Sequence, residues 1–307
     1  MRANRRPGLR AGDLLLVVVG VVGVSSSGPI MAAATAVPAL AMSLWRTGLG
    51  ALVVAAPALT SHRSELGSLA RREWVRCGFA GLMLAGHFAT WTAALRLTSV
   101  ASATSLVCLQ VAWVVVLARL SGTSIVGGVW LGLVVAVVGV LVVAGVDRTV
   151  SAQAVVGDLL AVVGGVFGAV YVTVGSRVRE HATTTAYTFV CYGACALTLL
   201  AACLLGRVRL GGYDARSWWL VIGVTVAAQL LGHSVFNHLL AVMSPTLVSM
   251  LLLLEVPGAA LLAAIFLGQA PPVAVYVGLA LICGGLALVV RARAGTVGRR
   301  LVEPPLD

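Results

Sequence analysis

The chain has 307 residues, 60% of them hydrophobic and 10% charged, with a mean hydropathy of +1.04. A soluble domain carries roughly 25% charged residues, so this composition excludes a soluble globular protein and points to the bilayer. The net charge of +11 comes from 21 Arg, without a Lys, against 10 acids; the Arg residues fall between apolar runs instead of on one face, which argues against a nucleic-acid partner and for membrane orientation.

Ten apolar runs are long enough to span a bilayer, near 14–36, 39–59, 74–95, 98–118, 125–146, 157–176, 184–206, 217–241, 244–268 and 272–290. Helices are the expected form, because open strands cannot satisfy their backbone in lipid and no ten-residue alternation points to a barrel. Arg2, Arg5, Arg6 and Arg10 before the first run, and Ala34-Thr35-Ala36 after it, have the outline of a signal peptide. The internal repeat described below assigns that run to a retained helix instead. With the N-terminus inside, fifteen Arg flank inner span ends, five flank outer ones, and Arg46 lies within a span. The positive-inside rule then puts both termini in the cytoplasm of a multi-pass protein of the cytoplasmic membrane.

Within the first run, Ser25-Ser26-Ser27-Gly28-Pro29 predicts an interruption. Pro29 cannot donate to the carbonyl four residues back, and Gly/Pro-interrupted spans point to transporter sites. A bend sealed by the three serines is the structural alternative. Arg46, about seven residues into the second run, has three readings: it snorkels to the interface, it pairs with an intramembrane acid, or it holds an anionic substrate. His87 and Trp91 share a face of the third run, and Gln110 and Trp113 share one of the fourth; both Trp residues lie away from span ends, where an aromatic belt explains them poorly. Core packing and stacking on a substrate are both open to them. Gly128/Gly132 and Gly164/Gly168 have the spacing for close helix packing, which implies no oligomeric state. Tyr171, Tyr187 and Tyr192 are further candidates for lining a cavity.

The eighth run carries Gln229, His233 and Asn237 four apart, with Ser234 beside them. In an α-helix these stack on one face, toward a cavity or a neighbouring helix. The ninth run holds Glu255, two residues before Pro257-Gly258. A charge at the bilayer centre costs about 2.5–3.5 kcal/mol on insertion scales. Glu255 is therefore either a proton-coupling group or a neutral carboxyl tying helices together. Pro257 is expected to free the carbonyl of Leu253 and break the helix there. The six Cys residues form no Cys-x-x-Cys pair and have no Cys/His companions, so they read as small core residues without a metal or a disulfide framework. No Walker A loop, His-Glu-x-x-His or nucleophile elbow occurs, and neither a cofactor nor an enzyme is expected.

An internal repeat organises these runs. Gly12-Asp13-Leu14-Leu15 recurs as Gly157-Asp158-Leu159-Leu160, and the same offset of 145 places Gln110 on Glu255 and Gly139 on Gly284. Gly86-His87 falls on Gly232-His233 only at 146. Each half holds an odd number of spans, so the two copies sit upside down relative to each other, with a site expected near the midplane where they meet. Asp13 and Asp158 are each expected at a helix N-terminus. The expected division is a basic segment 1–11, a first five-helix repeat 12–146, a connection 147–156, a second repeat 157–291 and a basic tail 292–307.

Over residues 12–292 the chain resembles the EamA branch of the drug/metabolite transporter superfamily. The resemblance rests on Ala94-Leu-Arg-Leu-Thr-Ser-Val-Ala-Ser-Ala103, on Gly232-His-Ser-Val-Phe-Asn237, and on the Leu-rich run from Ser244 to Glu255 with Pro257 and Gly258. It implies a carrier, often an exporter, of small metabolites, amino acids or drugs. In one respect the chain departs: the family often has a proline just after the first-half position that is Gln110 here, where Val111-Ala112-Trp113 follow, so a first-half break is not expected. The expectation is an all-α integral membrane protein of ten helices that moves a small molecule by alternating access across the lipid bilayer. A proton is the candidate coupling ion. A membrane enzyme acting on lipids, or a receptor or assembly protein, is the alternative.

Overall fold

The computed structural model describes residues 11–145, 151–267 and 272–302. The basic segment up to Arg10, Arg148 with residues 147–150 of the 147–156 connection, and residues 303–307 of the tail lie outside the described residues. The described chain is helical. The first half comprises α1 (Ala11–Ser25), α2 (Ser27–Ala33), α3 (Ala39–Thr60), the short α4 (Arg63–Ser68), α5 (Arg71–Leu97), α6 (Val100–Val107), α7 (Gln110–Leu120) and α8 (Gly127–Gly145). The second comprises α9 (Ala152–Val178), α10 (Thr184–Leu205), α11 (Ala215–Val224), a π-helical stretch at Thr225–Ser234, α12 (Val235–Leu239), α13 (Pro245–Leu252), α14 (Glu255–Leu267) and α15 (Val273–Val302).

Among the described residues nine helical segments are long and apolar enough to cross a membrane. They include the pairs α1–α2, α6–α7 and α13–α14, and α11 through α12, each as one crossing. The expected third span coincides with α5, which has 27 residues but is not among the nine. Charges at Arg71, Arg72, Glu73 and Arg76 and the polar run at His87, Thr90 and Thr92 dilute its apolar character. Large apolar side chains face outward, among them Leu15, Leu52, Leu131 and Ile265, all more than half exposed. A soluble protein seldom exposes so many, whereas lipid is a suitable solvent for them.

Packing has an internal symmetry. α8 packs on α15, and α3 on α10, each pair joining equivalent helices of the two halves. The contact of α5 with α9 in turn has its counterpart in the contact of the π stretch with α1. The first of these seams is built from small residues: a Cβ on Gly132 would come within 2.6 Å of the Gly285 carbonyl, and one on Gly139 within 2.6 Å of that of Gly278. Gly128 faces Ala292 in the same seam, and Gly164 lies against Thr90 of α5. Both small-residue pairs noted in the sequence thus serve contacts within the chain. Of the six Cys, five are buried as expected, and Cys283 is exposed on α15.

Three local expectations are corrected. Asp158 does not open its helix: the Ser151 hydroxyl accepts from Ala154 N at 3.0 Å and caps α9 seven residues earlier. α15 likewise continues through Val302, so the expected tail begins inside a helix. The first half is also broken after all, at Cys108–Leu109 between α6 and α7, as the second is at Leu253–Leu254 between α13 and α14.

The expected interruptions at Ser26 and at Leu253–Leu254 each precede a proline, whereas the first-half break has none. Pro257 is the third residue of α14 and Pro29 the third of α2, positions where a helix leaves its N–H groups without intrahelical partners. The breaks are tight turns that use their own carbonyls. Val111 N donates to Cys108 O, Ala112 N to Leu109 O and Val256 N to Leu253 O, at 2.9–3.3 Å. The Leu253 carbonyl expected to be free is therefore taken. Short 3₁₀ turns within a helix often mark hinges.

On the loop side, Glu65 of α4 ties this segment to the start of α10. Its carboxylate accepts from Thr183 N at 2.6 Å and Thr183 Oγ at 2.7 Å, and contacts His62 Nδ1 at 3.1 Å. Partial burial pushes the carboxyl up, but the Thr183 and His62 hydrogen bonds outweigh it and hold it below its ordinary value. The stability it contributes is therefore complete above the ordinary carboxylate range and is lost as pH falls through the lowered value. Glu65→Ala is expected to lower stability by about 1 kcal/mol at neutral pH and to erase this acid-side dependence, which melting curves from pH 7 to pH 3 would reveal.

Candidate functional site

The interruptions converge. A Cβ on Gly258 at the start of α14 would collide with the Ser25 Oγ at the end of α1. Cys108 Sγ at the first-half break lies 3.9 Å from the Leu252 carbonyl at the second. Gly165 of α9 brings its backbone against the same first-half break, where a Cβ would be 2.9 Å from Val107 O. Around this convergence lies a cavity lined by Ser27, His87, Trp91, Cys108, Gln110, Gly168, Tyr171, His233, Asn237 and Glu255, with apolar side chains between them. Its volume is about 30 Å³. A single water needs roughly 10–15 Å³, so this is room for a water or two and the conformation is a closed one.

Seven sequence candidates meet here: His87, Trp91, Gln110, Tyr171, His233, Asn237 and Glu255. Gln110 and Glu255 are the first residues of α7 and α14, immediately after the two breaks. Glu255 is the one acid among the lining residues. His87 Nδ1 is 2.9 Å from the Gly164 carbonyl. A carbonyl can only accept, so Nδ1 carries a proton and donates it to this bond. The Trp91 ring lies 6.4 Å from that of His87 and nearly parallel to it, and its indole N–H has no hydrogen-bond partner. The His233 ring sits 6.3 Å from that of His87.

Asn237 is the hub of a polar chain. Tyr171 donates its hydroxyl to Asn237 Oδ1 at 2.6 Å, and Asn237 Nδ2 donates to Tyr192 Oη at 3.2 Å. Tyr192 and Ser234 hydroxyls are 3.0 Å apart, and Ser234 Oγ donates to the Gln229 carbonyl at 3.1 Å. That last bond spans five residues and belongs to the π stretch. It also corrects the expected stripe. Gln229 lies in the same stretch but, unlike His233 and Asn237, is fully buried outside the cavity lining, where it accepts from Arg46 Nε at 3.1 Å. π turns within α-helices are frequent at functional sites.

The remaining candidates lie elsewhere. Arg46 is fully buried behind Phe88, its guanidinium 4.2 Å from the ring centroid, so it does not snorkel. Among the described residues it makes no ion pair, with Glu255 or any other acid. Trp113 is 39% exposed on the outer surface of α7 and does not line the cavity: three residues on from Gln110 in the same helix, it is turned about 60° from it. Tyr187 is buried against Gly175, outside the lining. Pro29, Pro257 and Gly258 flank the interruptions without lining the cavity. Ser27 and Gly168 line it unforeseen, although each sits in a motif visible in the sequence. Cys108 carried no such signal.

A family model described as the EamA-like transporter family matches the chain twice, over residues 11–145 and 155–291. A solved structure described only as "Crystal structure of protein" is similar, with a TM-score of 0.75 and 21% identity, covering 96% of this chain and 100% of that one. At that identity the likeness concerns the fold alone. No curated protein matches.

Proposed function

The chain belongs to the EamA-like transporter family within the drug/metabolite transporter superfamily, and from that premise we propose a secondary transporter that carries a small organic molecule by alternating access through the cavity at the helix breaks. The observation that carries this reading is the convergence of interrupted helices on a polar, aromatic-lined cavity. Broken membrane helices leave backbone and half-helix ends to face a ligand, and a cavity between the repeats can be opened to either side by rocking them. α5 supplies the tenth span, the two five-helix repeats run in opposite senses, and both termini lie on the cytoplasmic side of the cell membrane. The closed cavity fits an occluded stage of such a cycle.

Direction and coupling are inferred from less. Glu255, alone among acids in the lining, is the coupling candidate, with a proton as its ion and export as the direction. The test is reconstitution of the full chain in liposomes with an imposed pH gradient and radiolabelled amino acids, nucleosides and cationic drugs. Accumulation of one class, saturable and dependent on the gradient, is the expected result. If no solute moves while lipid composition changes, the lipid-enzyme alternative replaces transport.

A further inference from the structure

Arg46 and Gln229 lie just behind the cavity wall. Both side chains are fully buried, one from α3 and the other from the π stretch. The Arg46 Nε–H can only donate, so its 3.1 Å contact fixes the Gln229 oxygen as acceptor and turns the Gln229 Nε2 outward as a donor. That Nε2 has no hydrogen-bond partner, and neither has Arg46 Nη2. Arg46 Nη1 reaches only the Met31 sulfur at 3.9 Å. Two neighbouring buried side chains thus present donors and lack the same thing, an acceptor. Close approach of α3 holds the pair together, since a Cβ on Gly50 would come within 2.8 Å of the Gln229 side chain.

A buried cation with no acid in contact is strongly disfavoured; Glu255 acts on Arg46 electrostatically without pairing with it, and the Phe88 ring offsets only a small part of the cost. Resting on the transport reading, we propose that Arg46 and Gln229 form a fork for a singly charged anion, the carboxylate of the transported molecule. Phe88 and His233, with ring centroids 5.1 Å apart, stand between the fork and the cavity. A shift of these two rings joins them, placing an anionic end on the fork and the rest of the molecule among Trp91, His87 and Tyr171. The same chemistry is met by a resident inorganic anion, and chloride is the form of it to test.

The experiment uses the purified full chain in chloride-free isethionate buffer, with melting followed against sodium benzoate, neutral benzamide and sodium chloride. Benzoate is expected to raise the melting temperature by several degrees and benzamide to leave it unchanged. Arg46→Gln should remove the response. Gln229→Glu, which builds the missing carboxylate into the fork, should raise the melting temperature without ligand and also remove the response. A chloride response equal to that of benzoate assigns the fork to a resident anion. The proposal is overturned if neither anion acts on the native chain, if benzoate acts equally on the native chain and Arg46→Gln, or if Gln229→Glu lowers stability. Flux of a neutral or cationic solute without any anion response would sink the fork and spare transport. An anion response without flux of any solute would do the reverse.

Discussion

Glu255→Gln is expected to lower pH-gradient-driven flux at least tenfold while leaving the fold intact. The substitution keeps the size and shape of the side chain and removes its ability to take up and release a proton. Glu255 makes no hydrogen bond to another side chain among the described residues, opens α14 and borders the cavity. Its amide replacement should therefore shift the melting temperature by no more than a few degrees and preserve exchange of substrate down its own gradient. The opposite pattern, flux unchanged and stability lost, would identify the carboxyl as a structural tie between helices. Paired measurements on Gln110→Glu sharpen the test: a second acid at the equivalent break should alter the pH profile only if this place in the cavity couples to protons.

The second large effect is on the fold. Gly23→Val should prevent assembly of the bundle. A Cβ on Gly23 would come within 2.5 Å of the Ala227 carbonyl and 2.8 Å of Gly232 N, so α1 crosses the π stretch backbone to backbone. Neither side has a flexible chain end that can give way. Overpacking of a rigid site typically costs about 1–3 kcal/mol, and the crossing also shapes the wall that carries His233. Gly193→Val is the control, because nothing lies within 4 Å of its added carbon. Loss of the monodisperse peak in size-exclusion chromatography for the first variant and not for the second is the expected result. Equal stability of both would show that the crossing has slack.

Much of the scaffold is legible in the sequence because lipid imposes simple demands. Apolar runs of spanning length, separated near residues 36–39, 95–98 and 241–244, correspond to the ends of described helices. α5 shows where that rule weakens: a helix whose polar side chains face protein carries less hydropathy than its length implies. The site is partly legible for a similar reason. His87, Trp91, Gln110, His233, Asn237 and Glu255 are polar or amphipathic groups within apolar runs, and burial in a bundle brings such groups together.

What sequence patterns missed has a common cause, namely departures from α-helical register. Proline was taken as the sign of a break, so the first-half turn had none. Gln229 was aligned with His233 by a period that the backbone does not keep there. None of these departures leaves a mark on hydropathy, because the residues at the turns are ordinary Leu and Cys.

The π stretch also accounts for the slip in the repeat. Most equivalent residues of the two halves are 145 apart, but Gly86-His87 meets Gly232-His233 at 146. One residue more has been fitted into the second-half helix before that point, and a wider turn is how a helix absorbs an insertion without losing its ends. In α-helical terms one residue advances the backbone by about 100°, so equivalent side chains of the two halves point in different directions on either side of the slip. The two halves are thus unlike at this crossing, where Gln229 of the second meets the buried Arg46 of the first.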